Sequence, residues 1–314
     1  MNSDLKVKII IFLVSLVCVV LFSSCGTTAG QSAGASLQPA LPILDAAEVK
    51  SKDEICTGLV NGQIDAWRSK DKANLEKIYT EDIVHYDGGP WYIGIGEVTK
   101  MAHQMWILFG PWEMKAGEAY ISEDHCMGEW VNWNVFRITE EDPATEYDWL
   151  EYEDGRISFW RLFYDQKFQD EFGASDRIHT AFLEQFAETW TSQDTGAIAS
   201  LYSTEGQIED TLFGVSVKGT KKIADFAEAY SNQFPGAAWR LVDPFAEEEA
   251  GKRYKEEYPF TYQGGVYAVK LPQGEDSACE LRLIVLLAPD DEGNILNQKV
   301  FYEAQSLIDC GLAE

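Results

Sequence analysis

The chain has 314 residues and a formal net charge of −27, from 52 acidic against 25 basic side chains. No stretch gathers Lys and Arg into the patch that phosphate-backbone binding needs, so nucleic acid is excluded as a partner and an anionic lipid surface would be repelled. With 46% hydrophobic residues, 10 Trp and 14 Tyr, the sequence excludes a disordered chain and has enough aromatic surface to line cavities as well as fill cores.

At the N-terminus Lys6 and Lys8 precede an apolar run from Ile9 to Phe22, the length of a signal-peptide core and short of the ~20 residues that span a membrane. The run ends at Leu21-Phe-Ser-Ser-Cys25-Gly. Residues 26–45, with repeated Gly, Ala, Ser and Thr and later Pro39 and Pro42, have the composition of a tether. Four further cysteines lie beyond it, Cys56, Cys126, Cys279 and Cys310. They allow three pairings; one bond within each half is the expectation, with free buried thiols the open alternative.

From Cys56 onward the sequence is written twice. Trp67-x-Ser69-x-Asp71 recurs as Trp190-x-Ser192-x-Asp194, and at the same offset of 123 Tyr79, Asp87 and Gly96 fall on Tyr202, Asp210 and Gly219. Near the end Gly155-Arg-Ile157 and Phe163-Tyr164-Asp165 recur as Gly293-Asn-Ile295 and Phe301-Tyr302-Glu303, now at an offset of 138, so the second copy is 15 residues longer. Most of that length is the charged stretch 246–257, expected as a solvated insertion.

Apolar residues at steps of three and four predict a helix through Cys56, Leu59, Val60, Ile64 and Trp67, a short one over 71–79, and a third bearing Val98, Met101, Ala102, Met105 and Phe109. An extended piece through Val84 and Tyr86 lies between the last two. Strands follow near 113–122, 125–138, 146–153 and 156–165; in the second copy they fall near 259–271, 279–288 and 295–307, with Pro289 to Gly293 as a hairpin turn. The fold class is therefore α+β, two tandem cones of helices packed on a curved antiparallel sheet. The expected divisions are a signal peptide at 1–24, a tether at 25–50, and domains at 51–168 and 175–310.

These motifs resemble the SnoaL-like branch of the NTF2-like superfamily: Trp67-x-Ser-x-Asp71, Ile78-Tyr-Thr-Glu-Asp-Ile-Val-His-Tyr-Asp87, Gly96 opening a helix, and Gly-x-Ile followed by Phe-Tyr-Asp165. The segment around Cys25 resembles a bacterial lipobox. The first resemblance implies a cone with a cavity at one end. It also puts Asp87 where isomerase-like members keep a proton-shuttling carboxylate, and Gln63 where they keep an oxyanion-stabilising Tyr. The second implies acylation at Cys25 and an extracytoplasmic place in the bacterial cell envelope, held to the membrane through the lipid anchor alone.

Two residues apart on an extended segment, His85 and Asp87 share a face and could act together as acid and base. Repeat partners mark the first copy as the better equipped: His85 is replaced by Ile208 and Gln63 by Phe186. Met101, Met105, Trp106, Trp130, Trp160 and Tyr164 are the expected pocket lining. No metal site and no cofactor is expected. The leading expectation is capture of a small apolar or amphipathic molecule by the first domain, the second being structural. The alternatives are an isomerase, dehydratase or cyclase using Asp87 as general base, and a protein interaction module; the two domains could pair as an internal pseudo-dimer.

Overall fold

The computed structural model describes residues 41–87, 90–172, 178–247, 260–274 and 277–314, all within one compact unit, Gln38–Glu314. The expected signal peptide, Cys25 and most of the expected tether lie outside the described residues.

Chain order in the first half is α1 (Ala46–Arg68), α2 (Lys72–Ile78), β1 (Tyr79–Tyr86), β2 (Trp91–Ile93), α3 (Ile95–Leu108), β3 (Glu113–Ile121), β4 (His125–Trp133), β5 (Ala144–Glu153), β6 (Arg156–Asp165) and α4 (Gln166–Phe172). The second half runs α5 (Thr180–Ser192), α6 (Thr195–Ser200), β7 (Tyr202–Asp210), β8 (Val215–Lys218), α7 (Thr220–Gln233), β9 (Ala238–Ala246), β10 (Gln263–Pro272), β11 (Ala278–Pro289), β12 (Ile295–Tyr302) and α8 (Ala304–Asp309). Helix α1 begins inside the span expected as tether, because the Asp45 carboxylate caps it by accepting the Ala47 N–H. Residues 304–307, expected as strand, are helical.

The recurring Trp-x-Ser-x-Asp motif is a helix link made the same way twice. Asp71 caps α2 through Ala73 N–H, and Asp194 caps α6 through Gly196 and Ala197 N–H. Ser69 and Ser192 each accept the amide of that Asp at 3.2 Å. One sequence alignment needs correcting. The glycine matching Gly219 is Gly94 rather than Gly96: each stands before its helix, at φ +81 and +89, where a side chain would be strained. Two extra residues in the β7–β8 turn cause the shift.

Strands pair in the order β2-β1-β6-β5-β4-β3 in the first half and β8-β7-β12-β11-β10-β9 in the second, with β1–β6 and β7–β12 parallel. What the sequence presents as separate sheets is one sheet of twelve strands. Its halves join where Tyr164 and Asp165 of β6 meet Ala246 and Phe245 of β9, and where Ile121 of β3 meets Tyr302 of β12. Because β11 also pairs with β12, strands β3–β6 and β9–β12 close into a ring.

One face of this sheet carries the helices. The other face of each half meets its counterpart: Tyr147, Trp149 and Phe163 pack with Phe245, Ile284, Leu286 and Phe301. The region expected as a solvated insertion begins in this interior. Ala246 belongs to β9, and Glu247, 2% exposed, holds the buried Arg161 guanidinium through two bonds, one of them 2.6 Å. Two disulfides secure the helix side, Cys56–Cys126 between α1 and β4 and Cys279–Cys310 between β11 and the end of α8. Near the first, Gly128 is required because a Cβ there would stand 2.4 Å from a Val60 methyl. The segment before α1 straps onto the second half. Leu41 is buried and lines a small cavity together with Trp190, Ile208, Asp210 and Tyr302, and its backbone N–H and carbonyl bond the Gln233 side chain at 2.9 and 2.7 Å.

Candidate functional site

Strand alternation and helix periodicity bring a cluster of polar side chains into the first half, on the helix-bearing face. Trp67, on the buried stripe of α1, is its centre. The rings of Trp106, Trp112, Trp130 and Trp160 surround it edge-on at 5.5–6.2 Å, an arrangement that aromatic quadrupoles favour. Its indole N–H donates to the Tyr79 hydroxyl at 2.9 Å, and Gln63 Nε2 donates to the same oxygen at 3.1 Å. Gln63 is therefore fully buried and acts on a phenol rather than standing in for one; its Oε1 has no protein partner.

His85 is also fully buried. Its ring stacks on Trp160 at 3.8 Å, Nδ1 lies 3.2 Å from the Trp160 carbonyl, and Nε2 is unpartnered. Desolvation pushes its pKa down to about 3, so at neutral pH it is an uncharged imidazole; if Nδ1 carries the proton for that carbonyl, Nε2 is a free acceptor. Asp87 does not pair with His85 in a direct bond. It accepts the Tyr164 hydroxyl at 2.6 Å, and its amide bonds Pro90.

Two acids that the sequence reading did not single out complete the cluster. Glu146 and Asp148 alternate along β5 with Tyr147 and Trp149; since the aromatics face the other half, the carboxyls face the helices. They are 3% and 0% exposed. Asp148 lies beside the Trp160 indole and the Glu146 carboxyl, yet neither of its oxygens reaches hydrogen-bonding geometry. Burial raises both acids well above the usual carboxylate range, and the charge of Asp87 adds to it; for Glu146 the repulsion of Asp148 is the larger addition. Burial and mutual repulsion together disfavour ionising both members of this pair, which titrates as a unit.

Of the expected pocket lining, Trp130, Trp160 and Met101 are buried, and Met105, Trp106 and Tyr164 are partly buried against the same core. The indole N–H groups of Trp106, Trp130 and Trp160 have no protein acceptor. Together with Gln63, His85 and Asp148 they concentrate unsatisfied buried polar atoms in one interior, which folded proteins otherwise avoid and which calls for water or a ligand. Among the described residues no three of His, Cys, Asp and Glu converge on a metal position.

The second half offers a control at the same register. Strand pairing sets Leu283 at the place of Glu146 and Val285 at that of Asp148, while Ile208 and Phe186 stand for His85 and Gln63. Two buried polar pairs remain there: Tyr302 donates to Asp210 as Tyr164 does to Asp87, and Tyr202, at the place of Tyr79, donates to Gln298.

No family model and no curated protein matches this sequence. Among solved structures the chain is similar to a SnoaL-like family protein from Agrobacterium tumefaciens, at 14% identity over 35% of this chain and 97% of that one, TM-score 0.31. A protein of ketosteroid isomerase-like fold from Catenulispora acidiphila, solved with trimethylamine, is also 14% identical, over 42% and 93%, TM-score 0.34. An NTF2-like protein from Mesorhizobium loti is 16% identical over 36% and 93%, TM-score 0.29.

Proposed function

We propose that the chain is two tandem NTF2-like cones of which the first is an acid–base site for a small apolar or amphipathic molecule, the second being structural and paired with it as an internal pseudo-dimer. The observation that carries this reading is the change of buried side chains at four matched positions: His85, Glu146, Asp148 and Gln63 in the first half against Ile208, Leu283, Val285 and Phe186 in the second. A core with no chemistry to perform would be built from the second set, because an unsatisfied buried carboxyl is costly.

Glu146 and Asp148, whose burial favours their protonated forms, put proton-carrying groups in a site shielded from bulk water, and neutral His85 adds an acceptor. Such a set supports proton transfer of the kind used in isomerisation, dehydration or cyclisation. Asp87, the sequence's candidate base, has a different part. Its bond to Tyr164 recurs as Asp210–Tyr302 where the other acid–base groups are gone, so the pair is structural and Asp87 acts on the site through its charge. We place the protein in the bacterial cell envelope, outside the cytoplasmic membrane and anchored by a lipid on Cys25; Cys25→Ser should release it into the soluble fraction.

Native mass spectrometry of the protein from its source identifies a co-purifying molecule, whose hydrogen–deuterium exchange in D2O is then followed with wild type, Glu146→Gln and Asp148→Asn. Exchange in wild type should fall at least tenfold in each variant while binding persists. A molecule that binds and exchanges no faster than in buffer would leave a binder without chemistry.

A further inference from the structure

The strap that precedes α1 reaches the second half at the place where the first half keeps its polar cluster. Of the residues that line the small cavity with Leu41, Trp190, Ile208, Asp210 and Tyr302 match Trp67, His85, Asp87 and Tyr164, and Tyr230 and Trp239 add aromatic wall. The second half therefore keeps a cavity at the matched position. Among its described lining residues Leu41 alone comes from the strap, and it is 3% exposed. With the Leu41 side chain in place the space left is about 30 Å³, room for a water or two.

The strap is tied down differently from an element of the core. Leu41 N–H donates to Gln233 Oε1 at 2.9 Å and its carbonyl accepts from Gln233 Nε2 at 2.7 Å, so one half-buried side chain on α7 makes both bonds. Leu44 is held by the last residues of the sequence: its N–H donates to the Leu312 carbonyl at 2.8 Å and its carbonyl accepts the Glu314 N–H at 3.0 Å. The Leu44–Ala313 contact is an isolated bridge outside any strand ladder. Between these points Pro42 has no N–H to give and Ile43 is 60% exposed. A segment held by so few bonds opens at much lower cost than the fold as a whole. The first half lacks the latch. Phe109 and Phe234 at the ends of α3 and α7 align the two helices; Leu108 then stands at the place of Gln233 and can make neither bond.

We propose that Leu41 is a displaceable plug: the second half contains a binding site for a small uncharged apolar molecule, closed by the Leu41 side chain and opened when the Gln233 latch lets go. This adds a site to the half read above as structural and needs nothing of the acid–base chemistry of the first. The test uses the full chain and benzotrifluoride as probe, with binding followed by fluorine NMR. In wild type the Leu41 and Leu44 amides should exchange with D2O at least tenfold faster than those at the centre of β12, and saturating probe should speed Leu41 further with β12 unchanged. Gln233→Ala removes both latch bonds and leaves Leu41 and the cavity wall intact, so it should tighten probe binding about tenfold. Bound probe should move the indole N–H signals of Trp190 and Trp239 and leave that of Trp67 in place. Equal binding by wild type and variant, a shift at Trp67 instead of Trp190 and Trp239, or Leu41 exchanging no faster than β12 overturns the proposal. The wild-type measurements decide the matter even if Gln233→Ala does not fold. A failed plug leaves untouched the proton exchange that Glu146→Gln and Asp148→Asn test.

Discussion

At the scale of single residues, the buried cluster is made of groups held against their solution preference. His85 titrates near 3 because burial removes the water its cation would need. A folded-state pKa below the unfolded 6.5 contributes stability that is present above that value and lost as pH falls towards 3. NMR should therefore find His85 neutral at about pH 5, where an exposed histidine is charged; an imidazolium there would show the site to be wet. Phe136 carries the opposite sign of compromise. Its φ is +50, and Phe136→Gly should raise stability by about 1 kcal/mol through relief of the left-handed backbone, measured by urea unfolding. Glu146 and Asp148 were hard to read from sequence. In Ala144 to Glu153 acids alternate with aromatics, which ordinarily means acids to water and aromatics inward. Here both faces are covered, and only the packing of one half's sheet on the other turns a solvent-facing pattern into a buried one.

At the scale of elements, helices and strands were legible wherever one face alone is buried. The stripe on α1, the Pro289 to Gly293 turn and the strands β3–β6 follow directly from periodicity. Helix α8 did not, since Ala304 to Asp309 continues an apolar strand without a break in pattern and is set off by tertiary packing of Ala304 and Leu307. Alignment slipped at Gly96 because Gly96 keeps the constant offset of 123, whereas the true match, Gly94, lies at 125 once the two extra residues of the β7–β8 turn are counted. The Cys56–Cys126 bond closes 70 residues. In the chain-entropy account its loss costs about 4 kcal/mol, so Cys56→Ser/Cys126→Ser should unfold at markedly lower denaturant. Gly128→Ala, in the same contact between α1 and β4, should cost about 1–3 kcal/mol by overpacking against Val60.

At the scale of the whole molecule, the halves are joined by an apolar interior and by a buried ion pair. Burial pushes Glu247 up to about 7 despite the Arg161 charge, so the carboxyl can take a proton if its partner is lost, whereas a guanidinium cannot shed one. Glu247→Leu should then be the more damaging change, by about 3–5 kcal/mol, Arg161→Met should cost less, and the double variant should recover most of the difference. Asp210 and Asp165, raised by burial to about 7 and about 6, act with the sign opposite to His85. Their folded pKa lies above the unfolded one, so they favour the fold in acid and lose that effect as pH rises through 6 and 7. Thermal unfolding should occur at lower temperature at about pH 8 than at about pH 5, and Asp210→Asn should flatten the slope.

Because the halves meet at two places, β6 on β9 and β3 on β12, a swing of one half about the other would have to break strand pairing at both joins. Water reaching the buried groups of the first half would then come through local yielding of the segments that cover them, with the paired strands behind left in place.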